Sequence, residues 1–156
     1  MPASSTSAPA LVAHRLPLHA HHSSGALRSA PFFEGWRGDE LEHFERIVYH
    51  VKFQTGDALI REDAPGQAFL IILEGEAEVS QHGRPLRRLH PGDHAGEMAL
   101  LDASPASATV VARTDIEALV LYPRDFHNLL ETIPSLGRRI LATLARWFRQ
   151  TPRRDS

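Results

Sequence analysis

The 156-residue chain contains no cysteine. That excludes a disulfide framework, a thiolate metal site and a thiol nucleophile, and it fits a reducing, cytoplasmic compartment. No apolar run approaches the roughly 20 residues needed to cross a bilayer, so no membrane span is expected. An excess of one charge is lacking too. Seventeen basic against nineteen acidic side chains leave a formal net charge of −2, and no global basic field is available to gather nucleic acid. There is no long internal repeat. The 42% hydrophobic content is that of a globular protein, and the length suits one domain with a single core.

Residues 1–25 are rich in Ser, Ala, Pro and His and show no sustained periodicity, so a disordered tail is expected. Leu11-Val12-Ala13 is too short for a signal-peptide core. The absence of acidic residues before Glu34, with Arg15 and Arg28 present, gives a faint transit-peptide composition. His19, His21 and His22 could hold a metal ion loosely or do nothing specific.

Residues 26–150 read as the folded domain and 151–156 as a short charged end. Asp39 and Glu42 suggest a capping box, followed by Leu41, Phe44, Ile47 and Val48 at helical spacing. From Tyr49 the period changes to two, and short strands follow at 58–61, 68–73, 77–80, 86–89, 109–111 and 116–122, separated by glycine-bearing turns. The run Phe69-Leu70-Ile71-Ile72 is continuously apolar, as in a strand buried on both faces. Pro123 and Pro134 each open a closing helix with an apolar stripe, the second ending before Pro152. Many short strands with glycine-rich turns indicate a closed or double-sheet β architecture with flanking helices.

The stretch from Pro91 to Ala112 carries the candidate site. Gly96 leads into a short helical run, Glu97-Met98-Ala99-Leu100-Leu101, then a loop, then an apolar strand beginning at Thr109. A glycine entering one helical turn leaves backbone N–H groups pointing at one spot, which suits an anion such as a phosphate. Glu97 beside that spot is either a helix N-terminal charge favoured by the dipole or an acceptor for a sugar hydroxyl. Ser107 is either a solvated loop hydroxyl or an anion contact.

These residues resemble the phosphate-binding cassette of cyclic nucleotide-binding domains. Gly96, Glu97, Met98, Ala99, Leu100 and Leu101 fit its first half, and Pro105, Ser107, Ala108, Thr109 and Val110 its second. Gly56-Asp57, Gly75-Glu76, Pro91-Gly92-Asp93 and the Phe-Leu-Ile-Ile-Leu-Glu-Gly segment are similar to the family in the same order. The resemblance covers residues 27–150. It implies a mainly β domain, a jelly-roll-like β-roll or double-stranded β-helix with closing C-terminal helices. It implies ligand contacts at Gly96, Glu97, Met98, Ala99, Ala106, Ser107 and Ala108, with Glu97 on the ribose 2′-hydroxyl and Ser107 on the phosphate.

One position departs from the family. Where the family places the arginine that pairs with the cyclic phosphate, this chain has Ala106. Hydrogen bonds to charged groups contribute roughly 1.5–3 kcal/mol net, so the loss weakens binding about tenfold or more. Arg84, Arg87, Arg88 or Arg113 could bring another guanidinium in from a different part of the sheet.

The expected function is that of a stand-alone regulatory domain with cAMP, or cGMP, as effector, no required cofactor and no catalysis. A homodimer through the last helix or an unidentified protein partner would receive the signal. The alternative is a degenerate, ligand-free relative acting as an interaction module. A transcription factor is disfavoured because the chain ends at Ser156, leaving no room for a helix-turn-helix domain. A cupin-like metal enzyme would draw on His90, His94 and Glu97, but the expected strands carry no His-x-His pair. Trp147 and Phe148 are core or dimer-seam residues, or alternatively a purine-stacking cap. The arginines at 138, 139, 146, 149, 153 and 154 read as a solvated face.

Overall fold

The run from Phe69 to Ile72 sets the layering. Phe69 and Ile71 belong to one core cluster, shared with the helices, while Leu70 and Ile72 belong to a second, between two sheets. Alternate side chains of a strand point to opposite faces, so this strand has no solvent side and its sequence has no polar alternation.

The computed structural model describes residues 14–16, 30–64, 67–102 and 104–150. A five-stranded sheet runs β1 (His14–Leu16), β2 (Tyr49–Phe53), β9 (Ile116–Leu121), β4 (Phe69–Glu74), β7 (His94–Ala95). A four-stranded sheet runs β3 (Ala58–Ile60), β8 (Thr109–Ala112), β5 (Ala77–Gln81), β6 (Arg84–Leu89). All pairings are antiparallel. Val51, Phe53, Leu59, Ile72, Val79, Leu89, Val110 and Val120 fill the space between the sheets. The architecture is a mainly antiparallel β-roll with flanking helices, as the sequence pattern and the resemblance both require.

The outer face of the five-stranded sheet is covered by a 3-10 turn (Pro31–Phe33), α1 (Gly38–Ile47), α3 (Pro123–Thr132) and α4 (Pro134–Gln150). Phe32, Phe33, Trp36 and Phe44 interlock there mainly edge to face, with ring centroids 5.0–5.9 Å apart. Each buried aromatic contributes on the order of 1.5–3 kcal/mol from removal of apolar surface. Trp36 Nε1–H donates to Thr143 Oγ1 at 3.0 Å, tying the 3-10 turn to the last helix.

Two expectations need correction. The box at the start of α1 does not join Asp39 to Glu42. The helix begins at Gly38, so its third position is Glu40, whose carboxylate accepts the Arg37 backbone N–H at 2.7 Å. Within the expected tail, His14–Leu16 forms a strand with Arg15 opposite Val51. The edge of β2 supplies its backbone partners, which composition cannot reveal. The rest of the first 25 residues, His19, His21 and His22 included, lies outside the described residues, as do residues 151–156.

Candidate functional site

The site is assembled where β7 passes the chain to α2 (Met98–Leu101). β7 is paired to β4, Ala95 opposite Leu70, so the chain leaves it against the backbone of Ala68. Gly96 sits there at φ +83°, and a Cβ would stand 2.3 Å from the Ala68 carbonyl oxygen. Glycine alone satisfies both the backbone angle and the close approach.

The turn that follows is closed by Ala99 N–H to Gly96 O (3.0 Å), Leu100 N–H to Glu97 O (3.1 Å) and Asp102 N–H to Met98 O (2.9 Å). Leu100 is buried and anchors it to the helix-side core. The returning loop is pinned from two other strands' ends. Asp63 N–H donates to Ala106 O at 2.9 Å, and Gln81 Nε2–H donates to Ser107 O at 2.9 Å. Ser104 N–H donates to Asp102 Oδ1 at 2.7 Å. Among the described residues, no hydrogen bond takes the backbone N–H of Met98, Ser107 or Ala108.

Between turn and loop lies a cleft of about 140 Å³. Ile60, Val79, Ala95 and Val110 make its apolar lining. All seven sequence-nominated residues, Gly96, Glu97, Met98, Ala99, Ala106, Ser107 and Ala108, line it as well. The residues carrying these donors and an apolar surface therefore line one cavity.

Glu97 is the charged group of the turn. Its Oε1 lies 3.5 Å from His94 Nδ1, and its side chain is one-quarter exposed. No well-aligned hydrogen bond forms at that distance, since His94 Nδ1 is buried without a hydrogen-bond partner among the described residues. Proximity is what acts. Burial pushes the Glu97 carboxyl up, but His94, the residue's own backbone N–H and the positive charge of Arg87 outweigh it. The net result holds the carboxyl below its ordinary range, leaving an ionised acceptor at neutral pH.

Residues 50–133, more than half of the chain, match the cyclic nucleotide-binding domain profile. The chain belongs to the cyclic nucleotide-binding domain family. Over 115 residues it is 36% identical to a cAMP-dependent protein kinase regulatory subunit of Aspergillus niger, covering 72% of this chain and 28% of that protein. It is 30% identical over 133 residues to the cyclic AMP receptor protein of Thermus thermophilus, covering 80% of this chain and 60% of that one. The chain thus spans less than two-thirds of either relative. Among solved structures it is similar to the regulatory subunit of a cAMP-independent protein kinase A from Trypanosoma brucei. The TM-score is 0.68 at 27% identity, over 83% of this chain and 46% of that one. A triply substituted variant of that protein, with one change introducing an arginine, is bound to cAMP in its A site.

In this cyclic nucleotide-binding domain other nominated residues lie elsewhere. Trp147 does not line the cleft; its indole packs edge-on against the His94 ring at the helix-side core. Phe148 is exposed on the last helix. Arg139 is not merely solvated, since its Nε is 3.1 Å from Glu40 Oε1. His90 and His94 do not converge on a metal site with Glu97: His90 lies 3.6 Å from Glu76 and 3.9 Å from Asp93. Among the described residues no group of three or more His, Asp or Glu side chains is arranged to hold a metal ion, and no helix is long and apolar enough to cross a membrane.

Sequence reasoning did not single out Gln67, Ser104 or Arg87 as lining residues. The first two come from loops without a periodic pattern. Arg87 was legible only as one of four candidate arginines, because which strand neighbours the cassette depends on topology.

Proposed function

We propose that this domain regulates a partner by binding a cyclic nucleotide, cAMP foremost and cGMP as the alternative, in the cleft between α2 and the 104–108 loop. Glu97 accepts a hydrogen bond from the ribose 2′-hydroxyl. The N–H groups of Met98, Ser107 and Ala108, with the Ser107 hydroxyl, receive the cyclic phosphate. Ile60, Val79 and Val110 support the apolar side of the ligand. The observation that carries this reading is the convergence of all seven cassette residues on one cleft around an ionised carboxylate. The names of the kinase regulatory subunit and receptor relatives support the same ligand class. A regulatory role in the cytoplasm accords with the cysteine-free sequence.

The signal would leave through the last helix. Glu97 touches His94, and His94 packs on Trp147 of α4, so a ligand that reorients the carboxylate presses on the element that meets a partner or a second copy. Coupling of this kind needs only a ligand preference for one arrangement of α4.

A second reading has its own support. With Ala106 at the arginine position, and a relative described as cAMP-independent, the chain would be a ligand-free interaction module. Calorimetry with cAMP and cGMP on the native protein and on Ala106→Arg separates the two. Binding by both, tighter for the variant by about tenfold or more, supports the sensor. Binding by the variant alone supports the module, and heat from neither removes the nucleotide reading.

A further inference from the structure

Backbone N–H groups hold an anion less tightly than a set that includes a charge-assisted, two-pronged guanidinium. The cassette loop offers none, because its side chain at that point is the methyl of Ala106. Among the described residues, one cationic side chain lines the cleft, and it belongs to Arg87 on β6.

Strand register explains its delivery. Arg87 is opposite Val79 and Leu89 is opposite Ala77. Ala77, Val79 and Leu89 are buried in the core between the sheets. Directly opposed residues share a face, as do alternate residues along one strand. Arg87 therefore lies on the inward face of β6, where the core opens into the cleft. Arg88, one residue on, takes the other face, with Nη1 3.1 Å from Glu76 Oε1. Arg113 Nη1 is 3.7 Å from Glu78 Oε1. Arg84, at the hairpin end of β6, does not reach the lining. Of these four arginines, one lines the ligand site, and its register on β6 puts it there.

We propose that Arg87 is the phosphate-pairing cation of this domain, a guanidinium supplied from β6 in place of the one missing from the cassette loop at Ala106. This rests on the reading of the cleft as a cyclic nucleotide site. The positive charge of Arg87 is already felt by Glu97. A bound nucleotide would engage both groups, its phosphate taking the guanidinium and its ribose hydroxyl the carboxylate. Specificity for a charged ligand would come from a strand outside the cassette.

Calorimetric titration of cAMP and of adenosine, which has the base and ribose but no phosphate, tests the assignment. The proteins compared are native, Arg87→Ala, Arg87→Lys, Ala106→Arg and the double variant Arg87→Ala/Ala106→Arg. Circular dichroism melts confirm that each is folded; Arg87 is exposed on an edge strand, so its substitution leaves the core intact. Arg87→Ala is expected to lose about tenfold or more in cAMP affinity with no change for adenosine. Arg87→Lys should lose less, since it keeps the charge without the fork. The double variant should recover binding through the restored loop arginine. Equal cAMP affinity of Arg87→Ala and native overturns the proposal, as does an equal loss for cAMP and adenosine. Binding by Ala106→Arg with none by the native protein also overturns it, while leaving the cleft a nucleotide site. No cAMP binding by either of those two proteins overturns the site and this assignment together.

Discussion

The imidazole of His94 stands perpendicular to the indole of Trp147, ring centroids 5.1 Å apart and planes at 90°. His94 also meets Phe32 at 5.3 Å and Phe69 at 5.6 Å, so one ring from β7 joins the 3-10 turn, β4 and the last helix. Its other neighbour is Glu97, 3.5 Å from Nδ1. The contact makes His94 the junction between the cleft and α4.

Trp147 Nε1 is buried without a hydrogen-bond partner among the described residues. Replacing the indole by phenyl keeps an aromatic edge for His94 and removes an unsatisfied donor. Trp147→Phe is therefore expected to change stability by less than about 1 kcal/mol. Trp147→Ala should cost about 2–3 kcal/mol, somewhat under the range for a fully buried aromatic, because this side chain is half-buried. Urea unfolding of both variants checks the pair.

Gly96→Ala should be among the most damaging single-methyl changes in the protein. The added Cβ meets the Ala68 carbonyl oxygen at 2.3 Å and Ile60 Cδ1 at 3.2 Å, at φ +83°. Gly56→Ala carries a similar backbone penalty at φ +94° with nothing within 4 Å. The expected losses are about 1–2 kcal/mol for Gly56→Ala and at least about 3 kcal/mol for Gly96→Ala, since the backbone at Ala68 must shift. Thermal melts of the two side by side test whether close approach, rather than φ alone, fixes this glycine.

Glu97 predicts a pH effect of definite sign. Its folded carboxyl lies below the ordinary value of 4.5. The group therefore contributes stability that is fully present above 4.5 and is lost as pH falls through the lower folded value. Glu97→Gln should flatten that part of the stability curve relative to native protein and leave the slope above pH 6 unchanged. Urea midpoints from pH 3 to pH 7 measure it, and a native curve that rises with acid in that window would contradict the assignment.

Thr143 ties Trp36 to α4. It accepts the indole N–H at 3.0 Å while donating its own hydroxyl to Arg139 O at 2.9 Å. Thr143→Val keeps the shape and strands the buried Trp36 donor, an expected cost of about 1–3 kcal/mol. Thr143→Ser should retain most of the bond, and denaturant unfolding of the two separates hydrogen bonding from packing.

Much of the fold was legible because its signals are local. The apolar run at Phe69–Ile72, the alternation at Tyr49–Phe53 and the proline-started helices each describe their own burial within a few residues. β7 was not legible: two residues, His94 and Ala95, carry no period. The true capping pair was missed by a small shift in helix start, because Arg37 is an uncommon residue before a helix.

For the site, the sequence by itself determined which segment carries it: the resemblance of Gly96, Glu97 and Pro105 to Val110 to a phosphate-binding cassette implies a turn and a loop on one hollow, and both halves lie within a short contiguous segment that lines a single cleft. Tertiary structure alone decided that Arg87 faces into that hollow and that His94 bridges Glu97 to Trp147. Those outcomes depend on strand register and on helices packed from the far end of the chain. An arginine on a strand has two faces to choose between, and its cross-strand neighbours, not its own segment, make the choice.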